Sequence, residues 1–427
     1  MGLLDVSRKL GLVPAETRAD AERRAERIVD RLLALAAISE DDGRLTRTFG
    51  SEAMRRANEL VGLWMRQAGL QTSVDAIGNL RGRTIGSAPR RLLVGSHLDT
   101  VRDSGKYDGA LGVLLALEAL AARPLLSCEV EVLAFSDEEG ARFQSTYLGS
   151  RAVAGTFDPA TLALRDERGI TLQQAIQDFG GNADQIGACR VAAEEIIGYA
   201  EVHLEQGPVL ERLGEPLGVV SAISGQTRVA LEFIGHADHA GTTPMRLRRD
   251  ALAAASEFIL AAEACAKSAR SLVATVGQID VPHAASNVVP GRAALTLDVR
   301  AGDDARRRRA AAALERAAGE ISRSRRCELR WRVVQESPAA ACDPALRSEW
   351  ADAVAESGHR PVELVSGAGH DAAAFIHAGI PSAMLFVRCR DGLSHHPDEF
   401  VGTPDIAAAL LATDQFLQRL SAAEALR

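Results

Sequence analysis

The stretch LLVGSHLDT (residues 92–100) decides the fold, because a short apolar run leads directly into a cluster of polar residues. A Leu- and Ala-rich segment over 109–122 has the length and composition of a helix, and a second apolar run, VEVLAF, covers 130–135. Short apolar runs of this kind are typical of buried strands, and a helix between them favours a parallel pair. The sequence therefore predicts an α/β domain with a mostly parallel sheet.

Helical periodicity also dominates residues 51–67, upstream of this segment. Gly69 follows the last periodic position, as expected at the end of a helix. The large apolar residues predict the face that packs on the domain, and they are Leu60, Leu63, Trp64 and Met65.

Candidate functional residues follow both predicted strands. His97 and Asp99 come after the first strand, and Glu138 and Glu139, within SDEEG, come after the second. Ligands of open α/β sheets bind at the carboxyl ends of the strands. Adjacent carboxylates are costly to bury unless cations compensate their charge. We therefore expect a metal site at this edge of the sheet.

The histidines and acids of the chain are sufficient for a pair of metal ions. Two divalent ions need about six to eight donor atoms, one carboxylate that bridges them, and another that stays free to deprotonate water. Asp108 lies a short loop after His97, at the start of the predicted helix, and is the expected bridge. The expected ligands are His97, Asp108 and His203 for one ion and Asp108, Glu139 and His395 for the other.

Two neighbours of these ligands have predicted roles in catalysis. Glu138 is expected to act as the general base that takes a proton from water and passes it to the leaving nitrogen. Asp99 is expected to accept a hydrogen bond from His97, because a metal-bound imidazole usually donates its other N–H to a carboxylate. His370 and His396 remain alternative ligands, since spacing alone does not exclude them.

A second pattern, with its own order of elements, occupies residues 214–335. The predicted elements are strand 227–234, helix 249–266, strands 272–278 and 293–299, helix 303–322 and strand 327–334. This βαββαβ order is typical of a ferredoxin-like sandwich and indicates an inserted lid or dimerisation domain. We therefore predict a catalytic domain of residues 1–213 and 336–427 and a lid domain of residues 214–335.

The composition excludes several classes of function. With 427 residues, 47% hydrophobic content and a net charge of −8, the chain is typical of a globular multi-domain protein and lacks a general basic bias. The arginine run 306–309 is expected to form a solvated helix face. No apolar stretch approaches the roughly 18 residues that cross a bilayer, and the scattered cysteines indicate reduced thiols. We expect a cytoplasmic protein that binds neither nucleic acid nor membranes.

A competing motif lies near the C-terminus. Gly367, Gly369 and Ala372 follow an apolar strand, and Asp391 lies further along, as in the dinucleotide-binding fingerprint. Only one further strand follows, so a second nucleotide-binding half is missing, and His370 occupies the turn that phosphate should approach. These features disfavour a nicotinamide-dependent enzyme.

Several motifs together resemble those of di-metal amidohydrolases. They are DAIGNLRGR (75–83), FSDEEGARFQSTYLGSRAVAGTFDP (135–159), HLEQGP (203–208), HAGTTPM (239–245) and SHHPDE (394–399). The family includes N-carbamoyl-L-amino acid hydrolases, β-ureidopropionases and allantoate amidohydrolases, within the aminoacylase and carboxypeptidase superfamily. The resemblance implies an aminopeptidase-like catalytic domain with two divalent ions per subunit. It also implies hydrolysis of a ureido C–N bond, with allantoate as the favoured substrate.

The same resemblance implies substrate contacts and an assembly. The counterparts of the family's substrate-binding residues are Gln206, His239, Asn287, Arg300 and Gly367. Arg300 suits a substrate carboxylate through its bidentate fork, and His239 suits a developing oxyanion. The resemblance further implies a homodimer in which lid residues reach the neighbouring subunit's site.

Metal identity and substrate stay open at this point. Manganese or zinc is expected, with cobalt or nickel as alternatives, because imidazole and carboxylate donors do not select strictly. An N-carbamoyl-L-amino acid hydrolase or a β-ureidopropionase would use the same apparatus. More remote alternatives are an aminoacylase, a dipeptidase and a catalytically silent binding protein.

Overall fold

The structure, a computed structural model, describes residues 15–86, 88–122 and 126–425. Its strands are β1 (Gln71–Val74), β2 (Leu80–Arg83), β3 (Arg91–His97), β4 (Glu129–Phe135), β5 (Ile196–Leu204), β6 (Leu217–Ile223), β7 (Gly225–Ile234), β8 (Asp238–His239), β9 (Leu272–Asp280), β10 (Val288–Val289), β11 (Arg292–Ala301), β12 (Glu328–Ser337), β13 (Ala340–Ala341), β14 (Val362–Ser366) and β15 (Ser382–Val387). Its α-helices are α1 (Ala15–Ala36), α2 (Glu52–Gln67), α3 (Ala110–Ala122), α4 (Leu148–Ala154), α5 (Leu172–Phe179), α6 (Val209–Leu213), α7 (Ala251–Lys267), α8 (Asp304–Arg325), α9 (Pro344–Glu356), α10 (Ala372–His377) and α11 (Thr403–Ala425).

The chain divides into two compact units. Of the described residues, the first comprises those up to Ser221, Cys342–Leu364 and those from His370 onward, and the second comprises Ala222–Ala341 and Val365–Gly369. The short segment that contains Gly367 thus groups with the second unit, although the boundaries expected from the sequence assign it to the catalytic domain.

The first unit is built on a mixed sheet whose strands follow the order β1-β2-β4-β3-β5-β15-β6. The four central strands, β4, β3, β5 and β15, run parallel, whereas the flanking pairs are antiparallel. All of β4 and nearly all of β3 are buried, as their apolar runs predict. The expected parallel arrangement is therefore confirmed for the strands that lead to the candidate ligands.

Helix α3, which connects β3 to β4, is covered on all sides. Its residues from Ala110 to Leu120 are buried. It packs against β3, β4 and β5 and against helices α1 and α11. This coverage explains why its sequence is Leu- and Ala-rich rather than amphipathic. Its buried carboxylate, Glu118, is held by Arg27 and Arg31 of α1, at 2.6 and 3.0 Å.

Helix α2 is confirmed, but its predicted packing face was wrong. Its buried residues are Ala53, Met54, Ala57, Asn58, Val61, Gly62 and Met65. Of the predicted face only Met65 is buried, and Leu63 is exposed. Small residues at spacings of three and four let the helix approach the sheet closely, so the large side chains lie at the edge of the contact.

The second unit contains the predicted succession of elements, here β7, α7, β9, β11, α8 and β12. The strands form an antiparallel sheet in the order β12-β7-β11-β9. Alternate residues of β11 are buried, from Ala293 to Val299. They form a core with Phe258 of α7 and Leu314 of α8.

The arginine run on α8 is only partly solvated. Arg306, Arg308 and Arg309 are exposed as predicted, whereas Arg307 is buried and pairs with Asp304 and Glu336. Because an α-helix has 3.6 residues per turn, four consecutive side chains surround the helix and one must point inward. Across the described residues, no helix has both the length and the apolar character needed to cross a membrane.

Candidate metal centre

The candidate ligands come together at the carboxyl edge of the parallel strands. His97 is the last residue of β3, and His203 precedes the last residue of β5. Glu139 lies in the turn after β4, and His395 lies in the loop after β15. Because the carboxyl ends of parallel strands meet at one edge, residues far apart in the chain converge here.

Asp108 lies between two groups of candidate ligands. Its Oδ1 is 3.0 Å from Nε2 of His203 and 3.6 Å from Nε2 of His97. Its Oδ2 is 3.4 Å from Nε2 of His395, which in turn is 3.3 Å from Oε1 of Glu139. In each group the ligand atoms lie within 4.8 Å of one another. The two oxygens of one carboxylate therefore face different groups, as a bridging ligand requires.

Histidine contacts keep Asp108 ionised. Burial alone would raise its pKa, but hydrogen bonds from His203, His395 and His97 hold that pKa well below its usual value. Contacts with Asp108 and Glu139 raise the pKa of His395 to about 10. The positive charge of the protonated imidazoles thus compensates the negative charge of the carboxylates. Divalent cations can replace these protons, because ligands lose their protons when they bind a metal.

The donor set fits the predicted pair of divalent ions. Oε1 of Gln206 is buried and has no hydrogen-bond partner among the described residues. Oε1 of Glu139 is also buried and makes no well-directed hydrogen bond there, although Nε2 of His395 lies 3.3 Å away. Buried polar atoms without a partner are rare, and a bound ion or water is a common explanation. Imidazole nitrogen and carboxylate oxygen together suit zinc, manganese, cobalt and nickel.

Asp99 contacts His97, but its carboxylate also binds elsewhere. Nδ1 of His97 lies 3.0 Å from the backbone oxygen of Asp99 and 3.5 Å from its Oδ1. The Asp99 carboxylate accepts the backbone N–H groups of Glu138 and Glu139, at 3.0 and 3.2 Å. Asp99 therefore orients His97 mainly through its carbonyl and ties together the ends of β3 and β4 through its carboxylate.

Glu138 is buried beside the first group of ligands. It is 7% exposed and forms a compact cluster with His97 and Glu139. Burial raises its pKa well above the usual value; His97 opposes this shift and Glu139 reinforces it. A carboxylate with a raised proton affinity is suited to take a proton from water near neutral pH.

The two alternative histidines differ in their surroundings. His370 is buried with its ring 4.5 Å from that of His203, and it forms a further candidate group with Glu201 and His203. Burial lowers the pKa of His370 well below its usual value, and His203 adds to the effect. His396 is exposed and belongs to none of the candidate groups found in the described part of the chain.

Gln206, predicted to bind substrate, holds Asp108 in this structure. Its Nε2 donates to Oδ2 of Asp108 and to Oγ of Ser394, both at 3.1 Å. Its backbone has φ of 54°, a left-handed conformation rare outside glycine. The unpartnered Oε1 leaves Gln206 one acceptor for a ligand.

His239 and Asn287 are neighbours in the second unit. The pairing of β8 with β10 aligns His239 with Val288, and the backbone oxygen of Asn287 accepts the N–H of Ala240 at 2.8 Å. Nδ1 of His239 accepts backbone N–H groups from the turn that follows, at 3.1 and 3.2 Å. The ring proton of the neutral histidine is therefore on Nε2, which is a donor.

Arg300 and Gly367 are also brought together. Nη1 of Arg300 donates to the backbone oxygen of Gly367 at 2.8 Å. Its Nε and Nη2 bind the two oxygens of Asp298, each at 3.0 Å. These three residues line a cavity of about 770 Å³ within the second unit.

Sequence reasoning missed three residues that shape the site. Nε of the buried Arg47 donates to the backbone oxygen of Leu98 at 2.6 Å, between two predicted site residues. Ser394 donates to Oδ2 of Asp108 at 2.8 Å, and Glu399 accepts the backbone N–H of Asp108 at 3.1 Å. Ser394 and Glu399 lie in the SHHPDE motif, which was the available signal, whereas no local pattern distinguishes Arg47.

Known proteins are similar to this chain in both sequence and fold. Residues 93–419 match the family described as Peptidase family M20/M25/M40. The protein named allantoate deiminase 2 of Glycine max is 40% identical, over 98% of this chain and 92% of its own length. The chain belongs to the M20/M25/M40 family. It is thereby placed among hydrolases.

Other similar proteins extend this relationship to carbamoylases. The N-carbamoyl-L-amino acid amidohydrolase of Geobacillus stearothermophilus is 38% identical, over 90% of this chain and 95% of its own. The crystal structure of a hydantoinase/carbamoylase family amidase from Burkholderia multivorans aligns with a TM-score of 0.86 and 30% identity, over 92% of this chain and 97% of that one. M20/M25/M40 membership argues against the dinucleotide alternative, as does the length of α10, which has only 6 residues.

Proposed function

We propose that this M20/M25/M40 member is a metal-dependent amidohydrolase that cleaves the ureido C–N bond of a small carboxylate substrate. Allantoate is the favoured substrate, with ureidoglycine, ammonia and carbon dioxide as products. The observation that carries the proposal is the sharing of Asp108 between two groups of ligands beside the buried Glu138. The 40% identity to a protein named allantoate deiminase supports the choice of substrate.

The metal pair has a defined place in this proposal. One ion would be held by His97, Asp108 and His203, and the other by Asp108, Glu139 and His395. When bound, such ions polarise a carbonyl and lower the pKa of water. We propose manganese or zinc as the native metal, with cobalt or nickel as substitutes.

Glu138 transfers the protons in this reaction. It accepts a proton from water as the water oxygen bonds to the ureido carbon, and it delivers a proton to the terminal nitrogen as the C–N bond breaks. Ammonia and a carbamate result, and loss of carbon dioxide from the carbamate leaves the amine. The burial that raises the pKa of Glu138 supports its capacity to hold the proton between the two steps.

His239 is proposed to stabilise the negative charge that develops on the carbonyl oxygen. Because its Nδ1 accepts backbone N–H groups, its Nε2 carries the hydrogen without any rearrangement. A donor with a fixed tautomer provides the preorganised stabilisation that oxyanion sites require. Asn287, which directly precedes β10 and accepts the backbone N–H of Ala240, is proposed as a further substrate contact.

Arg300 is proposed to anchor the substrate carboxylate. Asp298 fixes the plane of its guanidinium, which limits the conformational entropy lost when a ligand binds. Gly367 and Gln206 are proposed as further substrate contacts. The backbone of Gly367 is already adjacent to Arg300, and Gln206 has a free acceptor.

We also propose that residues 214–335 form a ferredoxin-like lid and dimerisation domain of a homodimer. The antiparallel order β12-β7-β11-β9 and the separate core support an independently ordered domain. The edge strands β9 and β12 have main-chain groups suited to pairing with another chain. Size-exclusion chromatography with light scattering tests this assembly, and a monomer at micromolar concentration would contradict it.

An N-carbamoyl-L-amino acid hydrolase is the second candidate. The 38% identity to the Geobacillus stearothermophilus protein of that name favours it. Both substrate classes carry a ureido group and a carboxylate, so Glu138 and Arg300 would have the same roles. β-Ureidopropionase activity is a variant of this candidate.

Product release from several substrates, measured side by side as ammonia from the ureido compounds and as acetate from the N-acetyl compound, tests the proposal. The protein, loaded with manganese, is given allantoate, an N-carbamoyl-L-amino acid, N-carbamoyl-β-alanine and an N-acetyl amino acid. We expect the highest kcat/KM on allantoate. A higher value on the N-carbamoyl substrates would favour the second candidate. Release of acetate alone would indicate an aminoacylase, and a lack of turnover on every substrate would indicate a binding protein.

A further inference from the structure

Glu399 is a buried carboxylate outside the proposed ligand set. It is 2% exposed. Its Oε1 accepts the backbone N–H groups of Tyr107 and Asp108, at 2.8 and 3.1 Å. Its Oε2 lies 3.1 Å from Oγ of Ser394, the same hydroxyl that binds Oδ2 of Asp108. Glu399 thus contacts Asp108 directly through the main chain and indirectly through a hydroxyl group.

The loop before Asp108 is closely fitted to Glu399. A side-chain carbon at Gly105 would lie 2.3 Å from Cβ of Glu399 and 2.5 Å from its Oε1. The ring of Tyr107 makes an edge contact with that of Phe400, with 6.1 Å between ring centroids. The loop therefore takes its path around the Glu399 side chain.

A bridging aspartate needs its backbone and its carboxylate fixed together. Each oxygen of Asp108 faces a different group of ligands, so a small rotation of the side chain would move both oxygens away from their partners. Oε1 of Glu399 fixes the peptide from which this side chain extends. The Oγ of Ser394 lies 3.1 Å from Oε2 of Glu399, and its hydroxyl donates to one of the two carboxylate oxygens of Asp108.

We propose that Glu399 is a positioning residue that holds the bridging Asp108 in the orientation required to bind two metal ions. The inference rests on the proposed di-metal function. Two observations carry it: the backbone N–H of Asp108 donates to Oε1 of Glu399, and the hydroxyl of Ser394 lies between the carboxylates of Glu399 and Asp108. A purely structural role would stabilise the loop and leave the metal affinity of the folded protein unchanged.

Titration of the metal-free protein with Co²⁺, followed by its visible absorption, tests the proposal. We expect Glu399→Ala and Glu399→Asp to weaken binding of the second Co²⁺ by about 10- to 100-fold, the usual effect of losing a group that orients a ligand. Glu399→Gln should stay within about 3-fold of the wild type, because the amide oxygen still accepts the backbone N–H groups and the amide nitrogen can donate to Ser394.

The matched control is Glu118→Ala. Glu118 is also a buried carboxylate, but its partners are arginines of α1. This variant should lower the melting temperature and bind both Co²⁺ ions with the wild-type affinity. An equal loss of Co²⁺ affinity in Glu118→Ala would attribute the effect to general destabilisation and overturn the role of Glu399.

The remaining outcomes are also decisive. Wild-type Co²⁺ affinity in folded Glu399→Ala would overturn the inference, and if that variant does not fold, Glu399→Asp is judged by the same criterion. If the wild type and all the variants bind two Co²⁺ ions with the same affinity, Glu399 has no positioning role, and the proposed di-metal function still stands. Failure of the wild type to bind a second ion would instead overturn the proposed di-metal function.

Discussion

Gly109 lies so close to His97 that only glycine fits at this position. A side-chain carbon there would be 2.5 Å from Nδ1 of His97 and 2.6 Å from two ring carbons. Gly109 also has φ of 64°, which favours glycine. The residue after Asp108, the proposed bridge, is therefore packed directly against another proposed ligand, so the two candidate ligands are positioned by one contact.

We expect Gly109→Ala to displace His97 and to reduce metal content below one ion per chain. Gly43→Ala is the matched control, because Gly43 has φ of 72° and no atom within 4 Å of the added carbon. The left-handed conformation should cost each variant about 1–2 kcal/mol of stability. Gly109→Ala should lose more stability than this and should also lose metal, whereas Gly43→Ala should keep its metal. Denaturant unfolding and elemental analysis measure both, and full metal content in Gly109→Ala would contradict the expectation.

Glu138→Gln should nearly abolish turnover while the metal is retained. The amide has almost the same shape but cannot accept the proton from water, so kcat should fall by at least about 10²-fold. Glu139→Gln is the companion variant, and it should lose metal as well as activity. Ammonia release and elemental analysis separate the two effects. Near-normal turnover in Glu138→Gln would exclude it as the base.

Asp298→Asn should weaken substrate binding more than it slows the reaction. Without the second carboxylate oxygen, Arg300 loses its bidentate partner and becomes less ordered, so KM should rise by about 10-fold with a smaller change in kcat. Glu232→Gln is a suitable control, since Glu232 of the neighbouring strand β7 pairs with Arg292 of β11, the strand that contains both Asp298 and Arg300. A fall in kcat at unchanged KM would contradict the role assigned to Asp298.

The ion pair between Asp298 and Arg300 should make the stability of the fold depend on pH. Burial alone would raise the pKa of Asp298, but hydrogen bonds from Arg300 and Gln226 lower it overall. A carboxyl group whose pKa is lower in the folded state stabilises the fold fully above its unfolded pKa of about 3.9, and this stabilisation is lost as pH falls through the folded value. The difference in unfolding free energy between the wild type and Asp298→Asn should therefore shrink from about pH 6 to about pH 3. A constant difference would count against the ion pair.

Gly367→Ala distinguishes a substrate contact from a packing role. No atom lies within 4 Å of a side-chain carbon added at Gly367. Its effect on the unfolding free energy should therefore be within about 0.5 kcal/mol. If the loop contacts substrate, KM should nevertheless rise. Unchanged KM in a stable Gly367→Ala protein would remove Gly367 from the proposed substrate site.

Local patterns predicted the elements well but not which of their faces are buried. The strands and the intervening helix predicted around His97 are confirmed, because elements that are buried on both faces consist mostly of apolar residues and are easy to identify in the sequence. The predictions for the packing face of α2 and for the orientation of Arg307 were wrong. In both cases the side chain's surroundings depend on a neighbouring element that the local sequence does not describe.

The sequence by itself determined that His97, Asp99, Glu138 and Glu139 follow neighbouring strands, and parallel strand ends must share one edge. Only the tertiary structure decided that the two oxygens of Asp108 face different groups of ligands. It also decided that Arg47, which no local pattern distinguishes, and Glu399, whose motif did not indicate this role, support those groups. Strand periodicity is a property of adjacent residues, whereas these hydrogen bonds join segments that meet only after the chain has folded.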